Sequence, residues 1–127
     1  MEKTDLKIRS FTDLNSWKEG HKLVLMIYLE TKNFPNVEKY DLISQLRRAV
    51  VSITSNIAEG FNRHSPKEKC QFYYMSLGSL AEVQNQIPIA RDLGYINNKT
   101  FKEIANQSII VSRLLNGLIK SIKTHTT

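Results

Sequence analysis

Gln45-Leu-Arg-Arg-Ala-Val-Val-Ser-Ile-Thr-Ser-Asn-Ile-Ala-Glu-Gly60 decides the fold. Leu46, Ala49, Val50, Ile53 and Ile57 recur at spacings of three and four, which is the period of a helix with one apolar face. From Ala49 to Ala58 no residue is charged on any face. A surface helix carries a charged back, so a helix without one is buried on more than one side. In a small protein the second burial requires a partner.

Three more helices lie around this stretch. Upstream, Asp13 is placed as the N-cap of a helix that runs to about Thr31 and is broken by Asn33-Phe34-Pro35-Asn36. The central helix then spans about 41–62. Ser65-Pro66-Lys67-Glu68 opens a third, with Ser65 as N-cap, Pro66 in the first turn and Glu68 closing a capping box. Leu93-Gly94 ends it, with Gly94 free to adopt a left-handed cap. Asn97-Asn98 starts the fourth, which runs to about 123. The expected helices are therefore 13–31, 41–62, 66–93 and 98–123, with a flexible arm at 1–12 and a flexible tail at 124–127. Short connections between successive helices make neighbours antiparallel, so the expected fold is all-α, an up-down-up-down four-helix bundle in a single domain.

Helical wheels assign the core. The first helix is expected to bury Leu14, Trp17, His21, Val24, Leu25, Tyr28 and Leu29. The second offers Leu42, Leu46, Ala49, Val50, Ile53 and Ile57. The third offers Phe72, Tyr73, Ser76, Leu80, Val83, Ile87 and Ala90. The fourth offers Phe101, Ile104, Val111, Leu114, Leu115, Leu118 and Ile122. Two residues oppose regular geometry. Pro88 predicts a kink or an early end to the third helix, and Gly20 costs about 1 kcal/mol against Ala unless a close contact needs it.

Beside its apolar face the central helix carries a polar seam of Gln45, Arg48, Ser52, Asn56 and Glu59. The third helix repeats the anomaly, because between Cys70 and Ala90 its only charge is Glu82. Two consecutive, mostly uncharged helices point to an oligomer interface. Arg47, Arg48, Asn56, Glu59 and Glu82 are its expected polar fasteners, with Arg47 or Arg48 pairing Glu82.

The 127 residues carry a net charge of +6. After Glu103 no acid occurs, and Lys102, Arg113 and Lys120 line up opposite the apolar stripe of the fourth helix with Lys123 at its edge. With Lys18 and Lys22 of the first helix they form a candidate phosphate-contacting surface. Catalytic signals are weak. His21 reads as a packed core or interface histidine, Cys70 as a small apolar residue, and no His pair has metal-ligand spacing on one helix face. No catalytic, metal or cofactor site is expected. One cysteine excludes an intrachain disulfide. The longest apolar run, Leu23–Leu29, is far too short to span a bilayer, and Met-Glu-Lys-Thr-Asp lacks a secretory core, so the expected location is the cytoplasm.

Several segments carry a resemblance. Phe11-Thr-Asp-Leu14 with Trp17, Phe34-Pro35, Tyr40-Asp41-Leu42, Gln45-Leu-Arg-Arg-Ala49, Ser52-Ile53, Asn56-Ile-Ala-Glu-Gly60, Gly78-Ser-Leu-Ala-Glu82 and Leu93-Gly94-Tyr95-Ile96 resemble the bundle proteins encoded in intervening sequences of 23S ribosomal RNA genes. The resemblance spans about Phe11 to Ile122. It implies a homopentameric bundle. Through a related branch, the accessory protein of diversity-generating retroelements, it also implies binding to RNA or DNA and to a protein partner such as a reverse transcriptase. It implies no enzymatic activity. Arg47, Arg48, Asn56, Glu59 and Glu82 fall at signature positions. Pro88 and Gly20 depart from the family's pattern, and the basic residues of the fourth helix lie outside it. The expected function is a non-enzymatic, oligomeric RNA-binding bundle. The alternative is a protein–protein adaptor whose basic surface is merely solvated.

Overall fold

The computed structural model describes residues 7–38 and 41–125. Four helices form: α1 (Asn15–Thr31), α2 (Leu42–Asn62), α3 (Pro66–Asp92) and α4 (Asn98–Thr124). Short 3-10 turns at Phe11–Asp13 and Asn36–Glu38 precede α1 and α2, and no strand occurs among the described residues. Residues 1–6 of the expected arm, 126–127 of the tail, and Tyr40 lie outside the described residues.

The helices pack antiparallel in sequence order, the expected up-down-up-down bundle. Gly60 meets Tyr73 and Gln45 meets Gln86, so α3 runs back along α2. Arg91 stacks over Phe101 and Lys123 reaches Tyr74, which reverses α4 against α3. Gln107 bonds Glu19, closing α4 onto α1.

Capping follows local chemistry. Ser65 Oγ accepts from the Glu68 N–H at 3.0 Å, the Ser65 half of the expected capping box, and Asn97 Oδ1 accepts from Thr100 at 2.8 Å. Gly94 takes φ +81°. The Gly94 N–H then reaches Arg91 O and the Tyr95 N–H reaches Ala90 O, which satisfies the last carbonyls of α3 in a Schellman motif. Lys69 Nζ donates to Phe61 O at 2.7 Å and closes the end of α2, and burial draws its pKa below the usual lysine range. Asp13 is not the N-cap of α1. Leu14 occupies that position without a side-chain bond. Asp13 instead closes a capping box with Ser10 one turn earlier, accepting from the N–H groups of Arg9 and Ser10, which lower its pKa. The arm is thus folded from Ser10 onward.

The core faces of α2 and α3 match expectation. Leu42, Leu46, Ala49, Val50, Ile53 and Ile57 are buried, as are Tyr73, Ser76, Leu80, Val83, Ile87 and Ala90, while Phe72 is half-buried. Helix α3 runs through Pro88 to Asp92, so the early end does not occur.

The face of α1 is different from the one expected. It buries Ser16, Gly20, Leu23, Ile27 and Thr31. Leu14, Trp17 and Val24 pack only partly, while His21, Leu25, Tyr28 and Leu29 are exposed. Gly20 explains the rotation, because a Cβ there would lie 3.1 Å from Thr54 Cγ2 of α2. At Gly20 the absence of a side chain lets the backbones of α1 and α2 approach, while Leu23 and Ile27 fill the same face. On α4 the expected Ile104, Val111 and Leu115 are buried and Phe101, Leu114, Leu118 and Ile122 half-buried, while Gln107, Ser108 and Ile119 are buried besides. Gln107 is accommodated because its amide donates to Glu19 O at 2.9 Å and Glu19 Oε1 at 2.8 Å.

Candidate functional site

The polar seam of α2 and the outer face of α3 border a groove of about 460 Å³, lined by Ser44, Gln45, Arg48, Ala49, Ser52, Glu82 and Gln86. Helical period places these side chains together. Gln45, Arg48 and Ser52 lie within two turns of α2, and Glu82 and Gln86 are one turn apart on α3. Ser52 and Ser79 are bonded at 2.8 Å across the helices, and Ser76 donates to Ile53 O at 2.7 Å. These small hydroxyls let the two helices approach closely and satisfy themselves in doing so.

Glu82 does not pair with either expected arginine. Arg47 is held by α1: its Nε donates to Thr31 Oγ1 at 2.9 Å, and its guanidinium lies 4.5 Å from the Tyr28 ring centroid. Arg48 and Glu82 face the same groove, yet no ion pair joins them among the described residues. Gln86 is 8% exposed and its Oε1 has no partner. Sequence reasoning missed Gln86. The available signal was its position one turn beyond Glu82. Asn56 donates to Ser52 O at 2.9 Å. Glu59 sits at the exposed end of α2 and pairs with Arg63 at 2.9 Å.

An adjoining groove, lined by Tyr28, Arg47, Arg48, Val51, Ser52, Ser55 and Asn56, extends this surface onto α1. The apolar side chains that the expected core of α1 had claimed lie open to solvent on α1, with Leu25 51% and Leu29 60% exposed. On α3, Tyr74 and Met75 are exposed beside Gly78, around which a Cβ would meet nothing within 4 Å.

The expected basic residues occupy other elements. Lys102, Arg113 and Lys120 are exposed on α4, and Lys18 and Lys22 are exposed one turn apart on the neighbouring α1. Ile109 and Ile110 interrupt the α4 strip. Lys123 turns toward α3, where Nζ donates to Tyr74 Oη at 2.7 Å and the contact raises its pKa. Arg113 borders a smaller pocket with the start of α1. His21 is exposed and stacks on Trp17 with centroids 4.7 Å apart. Cys70 is buried and free. Among the described residues no group of three or more His, Cys, Asp or Glu could hold a metal ion, and no helix is long and apolar enough to cross a membrane.

No curated protein matches the chain. A solved structure does: a protein of unknown function from the S23 ribosomal protein family of Bacteroides thetaiotaomicron. It is 22% identical, with a TM-score of 0.76 over 83% of this chain and 98% of that one. At that identity the likeness shows the fold alone. The family model for the 23S rRNA-intervening sequence protein matches residues 12–117, nearly the whole bundle, and the chain belongs to that family.

Proposed function

We propose that the protein is a non-enzymatic, self-assembling bundle that binds RNA on its basic α1–α4 side, with its uncharged α2–α3 side buried between copies. The partition of charge carries this reading. Val51, Ser52, Thr54, Ser55 and Ala58 on the outer half of α2, and Tyr74, Met75, Gly78 and Ala81 on α3, leave Glu82 and Arg48 as isolated charges within a wide neutral surface. Exposed Tyr28, which lines the adjoining groove, extends it. Such a surface favours burial against another protein. The unpaired Arg48 and Glu82 supply a donor and an acceptor that a second copy satisfies, and the family resemblance implies five copies.

Lys18, Lys22, Lys102, Arg113 and Lys120 stay outside that surface and remain available to phosphates, whose neutralisation releases counterions. Titrating the protein with RNA across a salt series tests the reading. Binding that weakens linearly in log–log terms as salt rises supports it, and no binding at low salt refutes it. Lys102→Gln, Arg113→Gln and Lys120→Gln together should reduce affinity for all sequences alike and shallow the salt slope, leaving subunit count unchanged.

A further inference from the structure

We propose that the exposed ring of His21, stacked on Trp17 and flanked by Lys18 and Lys22, is a platform for an unpaired nucleobase of single-stranded RNA. His21 falls on the apolar stripe that the wheel turns toward the core, but Gly20 takes the close approach to α2 and leaves His21 exposed. Trp17 precedes His21 by one helical turn, which brings the two rings together. Their centroids are 4.7 Å apart and their planes differ by 11°. Trp17 is itself held in place. It packs partly against the core, and Phe11 meets it edge-on, with centroids 5.6 Å apart and 65° between the planes. Phe11 opens the 3-10 turn that the Ser10–Asp13 capping box closes. The stack is therefore formed before any ligand arrives, and little ordering entropy is lost on binding.

An imidazole has two faces. Trp17 covers one, so the exposure of His21 belongs to the other face and to the ring edge. A flat ring half in water attracts a second flat ring, and every nucleobase offers one. Leu25, one turn beyond His21 and 51% exposed, continues the apolar stripe. The charges beside the stack select the ligand. Lys18 stands three residues before His21 and is its neighbour on the helix surface, and Lys22 follows Lys18 by one turn. Both are exposed, and neither has an ion pair among the described residues. Asp13 feels the charge of Lys18, but its carboxylate accepts from the N–H groups of Arg9 and Ser10. Glu19 accepts from Gln107. A ring platform beside two exposed ammonium groups fits a base together with its flanking phosphates. In a duplex the faces of each base are already stacked, so the ligand is a single strand. The phosphate contacts rest on the RNA reading above.

The test uses the full chain and three labelled probes of equal length: a single-stranded oligoadenylate, an abasic ribose-phosphate chain and a duplex RNA. Fluorescence anisotropy reads each affinity. Oligoadenylate is expected to bind about tenfold more tightly than the abasic chain. That ratio should hold as salt rises while both affinities fall, because stacking releases no counterions. His21→Ala should abolish the ratio and leave duplex affinity unchanged. His21→Phe, which keeps a ring, should retain the ratio. Both variants should melt with the parent, since the residue is exposed. Equal affinity for oligoadenylate and the abasic chain, or a ratio indifferent to His21→Ala, would overturn the platform and spare the RNA reading. Duplex binding weakened as much as single-strand binding would overturn it too. A subunit count altered by His21→Ala would place the ring between copies and likewise overturn the site. No binding of any probe at low salt would refute the RNA reading, and the platform with it.

Discussion

Gly60→Ala should destabilise the bundle although it replaces the poorest helix former but proline with the best. A Cβ built at Gly60 lies 2.6 Å from Tyr73 Cε1, 3.0 Å from Cδ1 and 3.1 Å from Phe72 Cβ. Carbon atoms pack at about 3.5–4.0 Å, so something must move by roughly 1 Å. Tyr73 is 2% exposed and has no solvent side to swing into. Phe72 Cβ moves only with the backbone of α3. The strain therefore falls on the α2–α3 packing. Overpacking of this kind costs about 1–3 kcal/mol, and expelling the ring instead costs about 3 kcal/mol or more. Helix propensity returns roughly 1 kcal/mol. An approach of 2.6 Å puts the cost at the upper end of that range, so the net loss is about 2 kcal/mol, read as a fall in the urea midpoint of about 1 M. The melts must share one protein concentration, because assembly feeds into apparent stability. Tyr73→Leu in the Gly60→Ala background should recover part of the loss, giving a favourable coupling energy. A Gly60→Ala protein as stable as the parent would show that the close approach is not what requires glycine there.

Three further outcomes follow from the same contacts. Burial pushes the Tyr73 hydroxyl up from 10.0 to about 12. The folded chain then keeps a proton that the unfolded chain loses, so stability should fall between pH 10 and 12, by about 1–2 kcal/mol once solvent screening is allowed for. Tyr73→Phe should flatten that part of the alkaline denaturation curve, and an unchanged slope would remove Tyr73 as its cause. Gly78→Leu places a side chain in open space, so circular dichroism should report intact helices while sedimentation reports lost assembly; unaltered sedimentation would take α3 out of the interface. Arg47→Lys should cost about 1 kcal/mol in thermal melts, since an ammonium cannot both stack on Tyr28 and keep the fixed geometry to Thr31. A melt within error of the parent would show that these contacts contribute nothing.

The four helices were legible because their boundaries rest on local chemistry: Ser65-Pro66, Leu93-Gly94 and Asn97 act within one turn. The core faces of α2 and α3 were legible because their apolar residues lie on one stripe. Helix α1 was not. Its buried Ser16 and Gly20 give no hydrophobic signal, while Leu25, Tyr28 and Leu29 outweigh them on a wheel although they face solvent. What a wheel measures is apolarity, whereas Gly20 marks where backbones meet. The site divides the same way. The wheel put Arg48 and Glu82 on outward faces and led to the expectation that they pair; they share a groove without an ion pair. That Arg47 was already taken by Thr31 and Tyr28 depends on distances between helices, which no single-helix pattern contains. Gln86 and Ser16, each with an unpartnered buried oxygen, were illegible because composition does not show which polar atoms lack a mate.

The central claim is that the neutral α2–α3 side is covered by further copies while the basic α1–α4 side stays open. Native mass spectrometry of the full chain with a short RNA at low salt tests both halves in one spectrum. The account predicts a closed oligomer, five copies by resemblance, whose mass increases by that of RNA with no loss of subunits. A monomer at micromolar concentration, or an oligomer that dissociates as RNA binds, would contradict it.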